Sequence, residues 1–164
     1  MRKLLIIVLI FLGLIAMGAA WFVWGGVSNP ANRTTIGEIR TPAGFERVAT
    51  GEGSFGEFLR SFPLQKRGSK MKYADGSLAY FQYIGYAVLD LPLLSTSEQC
   101  CDAVQHMRSE YLFSKGRFLD IHFRSFQNGL MQYRGGNDKE ALYKYLKRVF
   151  DSSNTSSLRH ELKK

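Results

Sequence analysis

From Leu4 to Trp24 the chain carries no charged side chain, and this run constrains the protein before any domain is considered. A helix of these 21 residues is about 30 Å long, the thickness of the hydrocarbon core of a bilayer. It would be apolar on every face, which suits lipid better than one side of a globular core. Arg2 and Lys3 precede the run, and Trp21 and Trp24 lie at its far end. Basic residues stay on the inner side and indoles favour the headgroup level, so the remainder of the chain is expected to be exported. Two readings stay open. An uncleaved anchor over residues 1–26, with the membrane as partner along residues 4–24, places the protein in the cell envelope, at the inner membrane with its domain in the periplasm. A cleavable signal peptide, for which Gly18-Ala19-Ala20 offers a small-residue site, secretes it.

Residues 27–40 are rich in Gly, Ser, Asn, Pro and Thr without apolar period and are expected to form a linker. Residues 41–164 are long enough for one core. With 12 Phe, 8 Tyr and 2 Trp in the chain, disorder is excluded as the main state. The expected fold class is α+β: an N-terminal transmembrane helix followed by a small antiparallel sheet packed with about three helices. Formal charge is +8. Such a balance suits either a solvated basic surface or an anionic partner, here an anionic envelope polymer. No nucleic acid is expected as partner. The densest basic segment is Gln65 to Lys72, with Lys66, Arg67, Lys70 and Lys72.

Ser54 to Phe62 places Phe55, Phe58, Leu59 and Phe62 at helical spacing, with Ser54 as cap and Pro63 as stop. Asp75-Gly76 predicts a turn between a short strand at Met71–Tyr73 and a longer one from Leu78 to Leu89. Phe118 to Phe126 and Leu130 to Tyr133 read as strands joined by the hairpin signal Asn128-Gly129. Asn137 or Asp138 caps a helix whose apolar face is Ala141, Leu142, Tyr145, Leu146, Val149 and Phe150. A last short helix runs from Leu158 to Leu162.

The remaining helix, Ser95 to Phe113, holds both cysteines. Ser95 and Glu98 fit a capping box. Cys100, Val104, Met107 and Tyr111 recur at helical spacing, so Cys100 is expected to face the interior or the floor of a cleft, and Cys101 the boundary. Adjacent cysteines on a helix point apart, which argues against a disulfide between them. No Cys or His spacing fits a metal site, and neither metal nor cofactor is expected. A nucleophile is the chemistry left, because a helix N-terminus lowers a thiol's pKa. It needs a general base. His122 in its strand is the best candidate, His106 is expected to face away from Cys100, and His160 is near the C-terminus. The alternative is a buried cysteine that acts as a small apolar residue beside an ordinary strand histidine.

Several stretches resemble the bacterial DUF4846 family: residues 36–45, residues 53–60, and Gln99-Cys100-Cys101-Asp102-Ala103-Val104 with Arg108-Ser109-Glu110-Tyr111-Leu112. Similar sequences also carry counterparts of Ala141 to Phe150 and of Asn154-Thr155-Ser156-Ser157-Leu158, so that the resemblance covers most of Ile36 to Leu162. The family helix reads Q-C-A-D-A, so the resemblance matches Cys100 to the family cysteine and puts Cys101 where Ala is usual. It carries no established activity. It implies that fuller members add a second, sheet-rich half with a Gly-His stretch, similar to papain-like and NlpC/P60-like folds. The chain is then expected to be an N-terminal portion, in which His122 would have to replace the missing base. Three readings follow: a membrane-anchored envelope protein, a cysteine-dependent hydrolase of peptide or cell-wall substrate using Cys100 and His122, and a basic module that binds an anionic envelope polymer.

Overall fold

The computed structural model describes Ile10, residues 12–15, 32–73, 75–80, Gln82 and residues 86–161. The expected membrane segment, residues 4–24, lies outside them except for Ile10 and residues 12–15, which are helical and exposed. Among the described residues no helix is long and apolar enough to cross a membrane. The other elements are α1 (Phe55–Ser61), α2 (Cys100–Ser114), α3 (Lys139–Ser152) and α4 (Thr155–Glu161), with one antiparallel hairpin of β1 (His122–Arg124) and β2 (Leu130–Gln132). The mixture of helices and a small antiparallel sheet agrees with the α+β expectation.

By its contacts the chain divides into two compact units. One holds the described residues up to Arg47 together with residues 60–91; the other holds residues 48–59 and 92–164.

In the first unit the backbone of residues 62–65 bonds to two segments. Ile36 N donates to Phe62 O at 3.1 Å and Leu64 N to Thr34 O at 2.7 Å. Gln65 N donates to Val88 O at 2.8 Å and Asp90 N to Pro63 O at 2.9 Å. Residues 34–36, read as linker, thus take part in this unit. Gly37 allows the approach, since a Cβ there would stand 3.0 Å from Arg60 O. The Asp75-Gly76 turn forms, with Gly76 at φ +84° and its N–H bonded to Tyr73 O at 2.9 Å. The long strand expected over Leu78–Leu89 does not form among the described residues; only the bridges Lys72–Leu78 and Leu64–Leu89 remain. Gln82, 2% exposed, is folded onto the same turn. Its Nε2 donates to Met71 O at 2.7 Å and Ala79 O at 2.8 Å, and its Oε1 accepts from Met71 N at 2.8 Å. The amide thus adds to the backbone bond that Ala79 N already donates to Met71 O at 3.0 Å.

In the second unit, Ser54 Oγ accepts from Glu57 N at 3.2 Å and Gly53 N donates to the Glu57 carboxylate, a reciprocal cap at the start of α1. The strand expected from Phe118 begins as a 3₁₀ turn, Phe118–Asp120, and the ladder covers three residue pairs from His122–Gln132 to Arg124–Leu130. Gln132 Nε2 donates to Leu119 O at 2.7 Å and to Ile121 O at 3.2 Å, which holds the turn. Asn128 takes φ +66° in the hairpin loop. Asp138 accepts from Ala141 N at 3.0 Å and starts α3, as its sequence indicates. Asn154 Oδ1 accepts from Ser156 N and Ser157 N, both at 3.0 Å, and caps α4. The core is built from Leu112, Ile121, Phe123 and Tyr133 against Leu142, Tyr145, Leu146, Val149 and Phe150. The α3 face is the one its periodicity predicts.

Candidate functional site

Helix α2 is rotated from the expected phase. Its buried residues are Cys101, Asp102, Gln105, His106, Ser109 and Leu112. Cys100 is exposed, and Cys101 is only 5% exposed, the reverse of the expectation. Nor do Ser95 and Glu98 cap the helix. Gln99 and Asp102 form the box, with Gln99 N donating to Asp102 Oδ2 at 2.7 Å. The physical cause lies in the partners that the polar side chains meet once buried. Gln105 Oε1 accepts from Ser153 Oγ at 3.1 Å at the end of α3. His106, 0% exposed, lies between two carboxylates: its Nδ1 is 3.3 Å from Glu98 Oε1 and its Nε2 is 3.6 Å from Glu110 Oε1. Glu110 is also bonded by Lys139 of α3. Polar burial of this kind is tolerated only where such partners exist. The apolar stripe meets α1 at one point: Tyr111 packs on Phe55 and Phe58, ring centroids 5.3 and 5.5 Å apart, and its hydroxyl donates to Gly53 O at 2.9 Å.

The electrostatics follow this geometry. Burial pushes the His106 pKa down, but the two flanking carboxylates, Glu110 and Glu98, outweigh it and hold the imidazole above its ordinary value. For Glu110 burial acts upward, and His106 and Lys139 together bring the carboxyl below its ordinary value. Burial first, then the Asp102 charge, pushes the Cys101 thiol up. That thiol donates to Asp102 Oδ1 at 3.4 Å. Cys101 is thereby an inert buried thiol, whereas Cys100 stands open to solvent in the first residue of a helix.

His122 is the exposed first residue of β1. It lines a cavity of about 450 Å³ with Phe55, Val104, Gln105, Arg108, Phe123, Arg124, Leu130, Leu158 and Glu161. Cys100 is not among the residues that line it, so these two candidates are not brought together in that cavity. Among the described residues no group of three His, Cys, Asp or Glu side chains is arranged to hold a metal ion.

The residues that sequence reasoning missed are Gln105, Arg108, Arg124 and Glu161 around the cavity, and for His106, weighed only as a base for Cys100, its place between Glu98 and Glu110. One signal was present: Asp102, His106 and Glu110 repeat every four residues, a titratable stripe along one helix. In the first unit Lys66, Arg67 and Lys72 are exposed and Lys70 is half-buried. Arg67 N donates to Asn32 Oδ1 at 3.2 Å and Ser69 N to Lys66 O at 3.0 Å, so the basic segment has a defined backbone.

No curated protein and no solved structure matches the chain. A family described as a domain of unknown function, DUF4846, matches residues 36–135, which cover α1, the cysteine helix and the hairpin. These are 100 of the 164 residues, and the chain belongs to the DUF4846 family.

Proposed function

We propose that this is an envelope protein, held to the inner membrane by residues 4–24, whose exported part acts as a module that binds an anionic envelope polymer. The observation that carries the reading is the exposure of Lys66, Arg67 and Lys72 on a segment already ordered by Asn32 and Gln82. Ordered cations lose less entropy on contact with a polyanion than cations on a loose loop. Without Arg2 and Lys3, which stay on the inner side, the chain keeps 20 basic against 14 acidic residues, a formal charge of +6 that supports the same partner class. The test is retention of the full chain, in detergent, on beads that carry a purified anionic envelope polysaccharide. Retention should be strong at about 50 mM salt and lost near 500 mM, because the Debye length falls several-fold over that range. The triple variant K66Q/R67Q/K72Q should elute early, while K144Q/K147Q on α3 should behave as the parent. A triple variant retained like the parent removes this reading.

A second reading keeps one observation in its favour. The thiol of Cys100 is open to solvent in the first residue of a 15-residue helix, within reach of a substrate. It would make Cys100 the nucleophile of a cysteine-dependent hydrolase, with His122 as base. A Cys100 that alkylates no faster than free cysteine near neutral pH ends it.

A further inference from the structure

The cavity of the second unit has the chemistry of a separate small-molecule site. Its volume, about 450 Å³, falls within the range of pockets that hold small organic ligands. Gln105 lines it and is 1% exposed. Its Oε1 is taken by Ser153, and its buried Nε2 has no hydrogen-bond partner among the described residues. A buried N–H donor left unpaired is costly, and an acceptor atom placed in the cavity would remove that cost. Arg108 and Arg124 line the same space. Arg124 Nη1 donates to Asn128 O at 3.1 Å, which holds the guanidinium and leaves further N–H groups for a ligand. Among the described residues Arg108 forms no salt bridge.

We propose that this cavity binds a small organic monocarboxylate, its carboxylate against Arg108, Arg124 and the Gln105 amide, its apolar body against Phe55, Leu130 and Leu158. Charge decides the ligand class. Counted formally with histidine, here His122, as neutral, two arginines and Glu161 leave the lining one positive charge, which a monoanion balances. Glu161 repels the second negative charge of a phosphate monoester. The planar guanidinium fork matches a carboxylate. The apolar wall is open to contact: Leu130 is 58% exposed and Val104 40% exposed. This site and the basic segment of residues 66–72 share no residue, and either assignment can fail alone.

The test titrates the full chain in lipid nanodiscs, with empty nanodiscs as reference, using three probes: 3-phenylpropionate, the neutral 3-phenylpropionamide and phenyl phosphate. The carboxylate should bind saturably at one equivalent, and the other two roughly tenfold more weakly or worse, the loss of one good charged contact. R108Q, on an exposed helix position, should weaken 3-phenylpropionate roughly tenfold, and R148Q, exposed on α3 outside the cavity, should leave it unchanged. Q105M should also weaken binding, with its thermal unfolding measured alongside to show that the fold is kept. Absence of saturable binding, equal affinity for acid and amide, tighter binding of phenyl phosphate, or an R108Q affinity equal to the parent's would each overturn the assignment.

Discussion

His106 Nδ1 stands 3.3 Å from Glu98 Oε1 in the packed interior of the second unit. The contact ties α2 to the turn before it, because the other Glu98 oxygen accepts from Leu94 N at 3.0 Å. The far side of the ring meets Glu110, which Lys139 joins to α3. The ring also lies edge-on to Tyr143, with centroids 5.9 Å apart. Four titratable side chains therefore knit α2, the preceding loop and α3 together.

This cluster makes stability depend on pH in a defined direction. The folded-state pKa of His106 is raised above its ordinary 6.5. Its contribution is therefore complete below pH 6.5 and lost as pH rises through the folded value. Glu110 is lowered from 4.5, so its contribution is complete above pH 4.5 and lost as pH falls through the depressed value. Together they predict greatest stability between about pH 4.5 and 6.5. Urea midpoints of the parent should fall between about pH 6 and 8.5, and H106Q should flatten that slope. At pH 6, H106A should cost about 3 kcal/mol, since it leaves Glu98 buried without its partner. An H106Q variant with the parent's pH profile would falsify the assignment.

The two thiols should separate cleanly. Cys100 is exposed, while Cys101 is buried, bonded to Asp102 and raised in pKa. Native protein treated with iodoacetamide near pH 7.5 should take up one label, on Cys100, with Cys101 at least ~10-fold slower. C100S should abolish the fast label and C101S should keep it, and both thiols should react in urea. Mass spectrometry of the labelled peptides checks this, and a label found first on Cys101 would reverse the helix phase described above.

What the sequence made legible, and what it did not, follows from where each signal resides. The buried face of α3 was readable because Leu142, Tyr145, Leu146, Val149 and Phe150 are apolar and periodic, and because Asp138 caps locally. The Asn128-Gly129 loop and the Ser54 cap were readable for the same local reason. The phase of α2 was not, because its buried face includes Asp102, Gln105, His106 and Ser109. Gln105 meets Ser153 and His106 meets Glu98, both outside the helix, and no single-helix pattern reveals such partners. The strand read into Leu78–Leu89 is, among the described residues, a pair of bridges beside Gln82, whose side-chain amide bonds Met71 and Ala79, a partner no alternation pattern reveals. The cavity gathers Phe55, Arg108, Arg124 and Glu161 from four separate elements, so its composition has no signature along the chain.

The cap of α3 offers a test of a feature read from sequence and found in place. Asp138 accepts from Ala141 N at 3.0 Å, at the positive end of a 14-residue helix. D138A should lower stability by about 1 kcal/mol, whereas D138N, which keeps an acceptor oxygen, should lose only part of that. Equal losses in chemical denaturation would assign the effect to charge rather than to the hydrogen bond.

Gly135 and Tyr133 form the tightest approach around the hairpin. A Cβ added to Gly135 would stand 2.5 Å from the Tyr133 hydroxyl oxygen and 2.7 Å from Ala141 Cβ. That hydroxyl donates within reach of Asp138 O at 2.7 Å and Gly136 O at 3.0 Å, fastening β2 to the start of α3. Y133F should cost about 1 kcal/mol, the net worth of such a bond. G135A should cost about 2 kcal/mol through overpacking, because Tyr133 is 2% exposed and has no room to withdraw. The two losses should not add. With the hydroxyl gone, the new methyl group meets one obstacle fewer, and G135A should cost less in the Y133F background than in the parent. Urea denaturation of the four proteins of this cycle measures the coupling. A cycle that closes with zero interaction would mean that Gly135 is required by Ala141 Cβ and the Tyr133 ring, each 2.7 Å from the added Cβ, and not by the hydroxyl.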